Sequence, residues 1–281
     1  MEGEVEMYMK LKDGKSKVIT FSYDDGGIED TKLVEIFNKY SLKCTFNINT
    51  GLYMPESETR DGFRGSLKLS EAQNIYMNSG HEVAVHAYTH AFLDRIKPDE
   101  VLEQVLLDRK NIEQQFKSFA RGMAYPYGAY NDDVVRLLED AGICYSRTTK
   151  PTETFFLPQN WLMLHPTCHH NHPNLMNLAE KFVNEKPRYI SDNWMFYIWG
   201  HSWEFVKNNN WNLMEELAEL VSFKDDIWYA TNIEIYDYVK AYERLITSVD
   251  KKIIYNPSAI DVWVDINGET YCIHGGETLY L

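Results

Sequence analysis

Two short stretches of this 281-residue chain carry side chains whose types and spacing suit metal-assisted acid–base chemistry. In Ser22-Tyr23-Asp24-Asp25-Gly26-Gly27, two acids stand where a strand expected over Val18 to Tyr23 gives way to a glycine-permitted turn. Adjacent acids in a regular strand point to opposite faces. At a strand-to-turn junction both can approach one cavity, one as a metal ligand and the other as a base. Asp-Asp-Gly is equally a common turn sequence, so the pair decides nothing alone. His86-Ala87-Tyr88-Thr89-His90 follows the apolar run Val83 to Val85. If the chain turns helical there, imidazoles four residues apart share a face and can meet one ion. Asp25, His86 and His90 then form a set of two histidines and one carboxylate that leaves positions open for water and substrate. The expected ion is Zn2+, with Co2+, Ni2+ or Fe2+ as alternatives.

A second dense group, Cys168-His169-His170-Asn171-His172, is rich in zinc-binding residue types. Its spacing is too tight for all the side chains to converge, and no Cys-x-x-Cys accompanies it, so a substrate-facing loop is expected here and not a second metal centre.

These motifs resemble those of the polysaccharide deacetylases of carbohydrate esterase family 4, which remove N- or O-acetyl groups from sugars; the likeness runs from residue 18 to about 240. Phe21-Ser22-Tyr23-Asp24-Asp25-Gly26 is similar to the family's Thr-Phe-Asp-Asp-Gly and implies Asp24 as base and Asp25 as ligand. His86-Ala87-Tyr88-Thr89-His90 is similar to His-Ser/Thr-x-x-His and implies the other two ligands, with Ala87 in place of a hydroxyl residue. Ala124-Tyr125-Pro126-Tyr127-Gly128 aligns with Arg-Pro-Pro-Tyr-Gly, implying the Tyr127 N–H as oxyanion donor and leaving Ala124 where the family carries arginine. Arg147, in Tyr145-Ser146-Arg147-Thr148-Thr149, could supply that cation from a neighbouring strand end, unless it is an ordinary surface ion pair. Ile198-Trp199-Gly200-His201 resembles the last motif and implies His201 as general acid, a role its near-neutral pKa suits. No aspartate-bearing fourth motif is identifiable. Tyr125 and Trp199 flank motif residues and are the candidates for stacking on a sugar ring.

The elements that must position these residues can be read from periodicity. Strands are expected at Val18 to Tyr23, Cys44 to Ile48, Glu82 to Val85, Ile143 to Thr148, Trp194 to Trp199 and Ile227 to Ala230. Helices are expected near Asp30 to Tyr40, after a Ser70/Gln73 capping box and stopping at Gly80, and over Asp99 to Ser118. Others follow from Asn131 to before Gly142, over Leu175 to Asn184, over Asn212 to Val221, and from a Thr231/Glu234 capping box to about Ile246. Such alternation implies an α/β fold, a distorted or incomplete (β/α) barrel over residues 1–248. Residues 249–281 read as a short β appendage in which Asn267-Gly268 signals a type I′ hairpin.

A formal net charge of -14 argues against nucleic acid or an anionic membrane as partner, because both select for clustered Lys and Arg. An acetylated sugar or other small amide fits better. No run approaches the ~20 apolar residues that span a bilayer. The start of the chain lacks a signal-peptide pattern and the four cysteines are scattered, which points to the cytoplasm. Two alternatives stay open beside deacetylation: hydrolysis of another small C–N bond, such as a ureide, by the same metal set, and a sugar-binding pseudoenzyme.

Overall fold

A computed structural model describes residues 5–59 and 67–281; residues 1–4 and 60–66 of the expected barrel unit lie outside the described residues. Among the described residues, after a short strand β1 (Met7–Met9), eight strands run parallel in one sheet: β2 (Lys17–Asp25), β3 (Cys44–Ile48), β4 (Glu82–Val85), β5 (Gly122–Ala124), β6 (Tyr145–Arg147), β7 (Cys168–His169), β8 (Trp194–Gly200) and β9 (Ile227–Tyr229). Their order is β6-β5-β4-β3-β2-β8-β7. Strand β2 is central: β8 pairs with it over Lys17 to Tyr23, while β9 pairs at Lys17 to Ile19 and β3 at Phe21 to Asp25. The sheet curls until one chain segment touches both edges, for Leu164 bridges to Arg147 of β6 and Cys168–His169 pairs with β8. The result is a distorted (β/α) barrel.

Among the described residues eight α-helices surround the sheet: α1 (Asp30–Lys39), α2 (Leu69–Tyr76), α3 (Pro98–Phe116), α4 (Asp132–Asp140), α5 (Leu175–Asn184), α6 (Trp203–Lys207), α7 (Trp211–Val221) and α8 (Asn232–Glu243). The alternation of β2 decides which residues reach the site. Phe21 and Tyr23 face outward onto Phe37 of α1, whereas Ser22 and Asp24 face inward, where the Asn47 amide of β3 donates to both. The interior continues downward in polar pairs, Thr20 with Asn232 and Glu82 with Thr45 and Tyr145. All of these groups except the half-buried Glu82 are removed from water, so each requires its partner.

The helix ends follow their side chains. Asn131 accepts the Val134 N–H at the start of α4, and Thr231 and Glu234 exchange hydrogen bonds at the start of α8. The Ser70/Gln73 box is not formed. Lys68 stands at the N-cap with its N–H held by Glu71, and Ser70 instead binds the Glu56 carboxylate. This helix stops at Tyr76, short of Gly80, because Met77 is extended and Asn78 has a φ of 62°.

Beyond the barrel lie β10 (Ile246–Thr247), β11 (Ile253–Tyr255), β12 (Val262–Ile266), β13 (Glu269–Ile273) and β14 (Thr278–Tyr280). They form two three-stranded sheets, β10-β11-β14 and β1-β12-β13, so the first strand of the chain pairs with this last segment. Asn267 and Gly268 both have positive φ, 52° and 91°, as a type I′ turn requires. Among the described residues no helix is long and apolar enough to cross a membrane.

Lys17, 1% exposed, starts the central strand and ends a helix on the layer outside it. Its ammonium donates to the carbonyls of Phe182, Val183 and Glu185 at the close of α5 and pairs with Asp226 at 2.9 Å. These carbonyls have no intrahelical donor of their own. Lys17→Met keeps the apolar stem but orphans them, and the expected loss is about 2–4 kcal/mol of unfolding free energy. A urea titration checks this; a midpoint within error of the native protein's would mean that water replaces the ammonium without cost.

Candidate active site

All the candidate residues sit at or just beyond the C-terminal ends of β2, β4, β5, β6 and β8, and all but one line a pocket of about 750 Å3. Arg147 stands apart from the lining, directly beneath it. Sites of parallel α/β folds form at this end because loops from several strands converge there.

Asp24 and Asp25 reach the same cavity by different routes. Asp24 is the last inward-facing residue of β2 and is 3% exposed. Asp25 has a φ of 77°, which breaks the strand alternation and swings its carboxylate over the mouth of the barrel. The two histidines also come together by a route other than the helical one expected. Residues 86–90 form a turn in which Ala87 (φ 62°) and His90 (φ 57°) are both left-handed, and the His90 N–H is bonded to the Ala87 carbonyl. The turn brings the His86 and His90 Nε2 atoms to 3.6 and 3.4 Å from Asp25 Oδ1.

The donor chemistry of this trio fits a divalent cation. His86 Nδ1 is 2.8 Å from the Ala124 carbonyl, which can only accept, so the proton is on Nδ1 and the Nε2 lone pair faces Asp25 and His90. The 3.6 and 3.4 Å separations of the two Nε2 atoms from Asp25 Oδ1 match the ligand-to-ligand edge of about 3.3–3.6 Å that tetrahedral N/O coordination at about 2.0–2.2 Å gives.

Sequence reasoning passed over the groups that brace the turn. The buried Asp108 of α3 accepts the His86 N–H at 3.0 Å and both the N–H and hydroxyl of Thr50. Burial pushes its carboxyl up to about 6 against the opposing pull of those donors. The Asn49 amide donates to the His86 and Ala87 carbonyls. In sequence Asp108 is one acid in a long amphipathic helix, and nothing in its spacing sets it apart from the solvated ones.

Arg147 is not a surface residue. It is fully buried, Ala124 is its neighbour across the β5–β6 register, and its guanidinium forms an ion pair with Asp24 Oδ2. The small side chain at 124 leaves space beside the strand that the arginine of the next strand fills. Burial raises the Asp24 carboxyl, but Arg147, with His86 and His201 behind it, outweighs burial and holds it below the usual value. Trp199 lies under this arginine, its ring 4.2 Å from the guanidinium carbon.

That contact changes the expectation for the two candidate sugar platforms. One face of Trp199 is taken by Arg147, and the residue is 9% exposed. Tyr125 is 1% exposed, stacks on Tyr130 and donates its hydroxyl to the Leu162 carbonyl, so it is a wall of the pocket with no free face. The exposed ring is that of Tyr127, 56% accessible, stacked on Phe92 at 3.7 Å and edge-on to His90 at 4.4 Å. A φ of 59° at Tyr127 belongs to the turn that carries its backbone into the pocket lining.

His201 faces the trio from the far side, its Nε2 3.9 Å from Asp25 Oδ2. Its Nδ1 faces Glu204 at 3.4 Å, and His169 and His170 place their Nε2 atoms 3.1 and 3.3 Å from the same carboxylate oxygen. Burial opposes protonation of His201, but Glu204 and the two aspartates overcome it and raise its pKa. Glu204, too, was missed in sequence, although it stands three residues after the histidine on the first turn of α6.

With this geometry in hand, comparison with known proteins is specific. A chitooligosaccharide deacetylase of Bradyrhizobium sp. is 38% identical over 65 residues, which are 23% of this chain and 30% of that protein, so the chain spans under a third of that relative's length. Two solved structures share the fold. One, from Mycobacterium smegmatis and assigned to the polysaccharide deacetylases, has a TM-score of 0.61 at 16% identity over 84% of this chain and 94% of its own. The other, the Xyl-CE4 domain of a multidomain xylanase from the Trinervitermes trinervoides hindgut metagenome, has a TM-score of 0.53 at 14% identity over 80% and 92%. The model of the polysaccharide deacetylase family matches residues 11–146, which include both aspartates, both turn histidines and the Tyr125-Pro126-Tyr127-Gly128 turn. Over these residues, just under half of its length, the chain is similar to the polysaccharide deacetylase family.

Proposed function

We propose that the chain hydrolyses the acetamide, or acetyl ester, of an acetylated carbohydrate with a divalent metal, Zn2+ first among the candidates, held by Asp25, His86 and His90. The observation that carries this reading is the division between the two adjacent aspartates. Asp25 turns toward two imidazole nitrogens, whereas Asp24 stays inside the barrel against Arg147. One is arranged as a ligand and the other as a base. A bound ion would polarise the acyl carbonyl and a water molecule.

The protein's own groups supply the rest. Asp24, kept ionised by Arg147, accepts a proton from the attacking water. The Tyr127 N–H, on a turn in the pocket lining, donates to the oxyanion that forms as water adds; one such donor is typically worth ~100 to 1,000-fold. His201, on the opposite wall, gives a proton to the leaving nitrogen or oxygen as the bond to the acyl carbon breaks, yielding acetate and the free amine or alcohol. Substrate contact falls to the exposed Tyr127 ring, with Trp199 acting through Arg147. The partner of this pocket is an acetylated sugar, with neither nucleic acid nor membrane involved.

The test follows from the two carboxylates. Asp25→Ala removes one of three ligands, so metal measured by elemental analysis should fall well below one ion per chain. Asp24→Asn keeps the shape but cannot take a proton, so metal should stay while acetate release falls by about 100 to 10,000-fold. Both variants retaining native turnover would reduce the motif to a turn and end the deacetylase reading.

Arg147 gives a separate expectation. Lysine keeps the charge but lacks the plane that lies on Trp199 while meeting Asp24. Arg147→Lys should therefore lower kcat by about 100-fold through displacement of the Asp24 carboxylate, with metal content unchanged. Arg147→Met leaves Asp24 buried beside no cation and should cost about 3–5 kcal/mol in addition, read from denaturant unfolding. Native kcat in Arg147→Lys would show that a point charge is all Asp24 needs.

A further inference from the structure

We infer that Glu204 is a positioning residue for His201, fixed in place by His169, and that the histidine-rich segment 168–172 serves this carboxylate and binds no second metal. The inference rests on the deacetylase reading for the role of His201, but its geometry stands on its own.

One oxygen of Glu204 is the meeting point of three imidazoles and a backbone group. Oε2 lies 3.1 Å from His169 Nε2, 3.3 Å from His170 Nε2 and 3.4 Å from His201 Nδ1, and it accepts the His201 N–H at 3.2 Å. Glu204 thus holds the His201 main chain by a hydrogen bond and faces its ring with the same oxygen. His201 Nδ1 is buried and makes no aligned hydrogen bond, and the Glu204 carboxylate at 3.4 Å is the acceptor it faces. With Nδ1–H turned to this carboxylate, Nε2 is the nitrogen left to face the pocket and exchange a proton there.

The same atoms would make a metal site if the imidazoles offered lone pairs, and His169, His201 and Glu204 are close enough together to suggest one. The tautomer of His169 argues otherwise. Its Nδ1 accepts the Asn171 N–H at 3.0 Å, so its proton is on Nε2, the atom that faces Glu204. A cation there would have to displace that proton and leave an imidazolate. His169 is instead a donor that keeps the carboxylate charged, and Glu204 is held far below the usual carboxylate range by His169 and His201 despite its burial.

His170 completes the support from inside. It is 1% exposed and lies between the rings of Tyr23 and Phe205, at 5.6 and 4.2 Å. Neither ring nitrogen has a hydrogen bond, and burial, with His169 beside it, lowers its pKa to about 3. It is a neutral packing ring. A Cβ at position 200 would come to 2.0 Å from its Nδ1, so Gly200 before His201 is the space His170 requires. Cys168-His169-His170 and Gly200-His201-Ser202-Trp203-Glu204 are therefore one interlocked unit across β7 and β8.

The test is the tautomer of the His201 ring, read from long-range 1H–15N NMR spectra of the metal-free protein at a pH where the ring is neutral, alongside steady-state kinetics of the metal-loaded enzyme on an acetylated chitooligosaccharide. The native protein should show Nδ1–H. Glu204→Gln retains an acceptor and should keep that tautomer, with kcat within about tenfold of native. Glu204→Met removes it and should shift the ring toward the Nε2–H form that free side chains favour, with kcat lower by about 10–100-fold and KM and metal content unchanged. Persistence of Nδ1–H in Glu204→Met, or native kcat in that variant, would overturn the inference. So would a second bound ion in the native protein that Glu204→Met loses. If the native enzyme releases no acetate from any acetylated sugar, the functional reading fails, and the NMR measurement still decides the position of His201.

Discussion

The buried ion pair between Arg147 and Asp24 is the constraint on which the rest of the site depends. Both side chains are essentially removed from water, a placement that costs several kcal/mol per ion unless geometry and added hydrogen bonds offset it. The barrel interior provides that offset. Asn47 donates to Asp24, the Thr148 carbonyl accepts from the guanidinium, and Trp199 covers its face. Because the partners come from β2, β3, β6 and β8, the pair ties together strands from both halves of the sheet. An apolar interior of the same volume would hold the strands as well, but it would leave no ionised carboxylate under the pocket.

Above that fixed floor the site is made of strained turns. Asp25, Ala87, His90 and Tyr127 are all non-glycine residues with φ between 57° and 77°. Each such conformation costs on the order of 1–3 kcal/mol and persists only where surrounding structure over-determines it. The over-determination is visible for the histidine turn. Asp108 holds the His86 N–H from one side while Asn49 holds the carbonyls of His86 and Ala87 from the other. Strain and support are concentrated on the backbone. The imidazole and carboxylate tips are thereby left to converge.

How much of this was legible in the sequence depends on the range of the interaction involved. Elements with local signals were readable: Cys44–Ile48, Glu82–Val85 and Leu175–Asn184 have the bounds their patterns predicted, and the Asn131 and Thr231 caps form. Gly122–Ala124 and Cys168–His169 were not read as strands, since two or three residues carry no period and are strands only because neighbours pair with them. The Ser70 box failed through a competitor outside the helix, the Glu56 carboxylate. Within the site, motif spacing gave candidate residues that the structure brings together, but not their surroundings. Tyr125 and Trp199 adjoin motifs and line the pocket, but nothing in their sequence signals that Tyr125 is buried against Tyr130 or that a cation covers one face of Trp199. Asp108 and Glu204 carried no motif at all, and only the fold reveals what they hold.

The same distinction bears on what the pocket presents to a ligand. Groups set on β2, β6 and β8 are locked from below, so their positions change little whatever binds. The rim is a separate layer, in which the Tyr127 ring rests on Phe92 and the Arg95 guanidinium lies over the other partner of that stack at 4.1 Å. A stacked ring already held in place loses little side-chain freedom when a flat ligand covers it, so contact there costs less entropy than contact with a free side chain. The rim can therefore vary in chemistry without disturbing the floor. That independence is a reason why a chain 14–16% identical to the two solved structures compared above can share their fold.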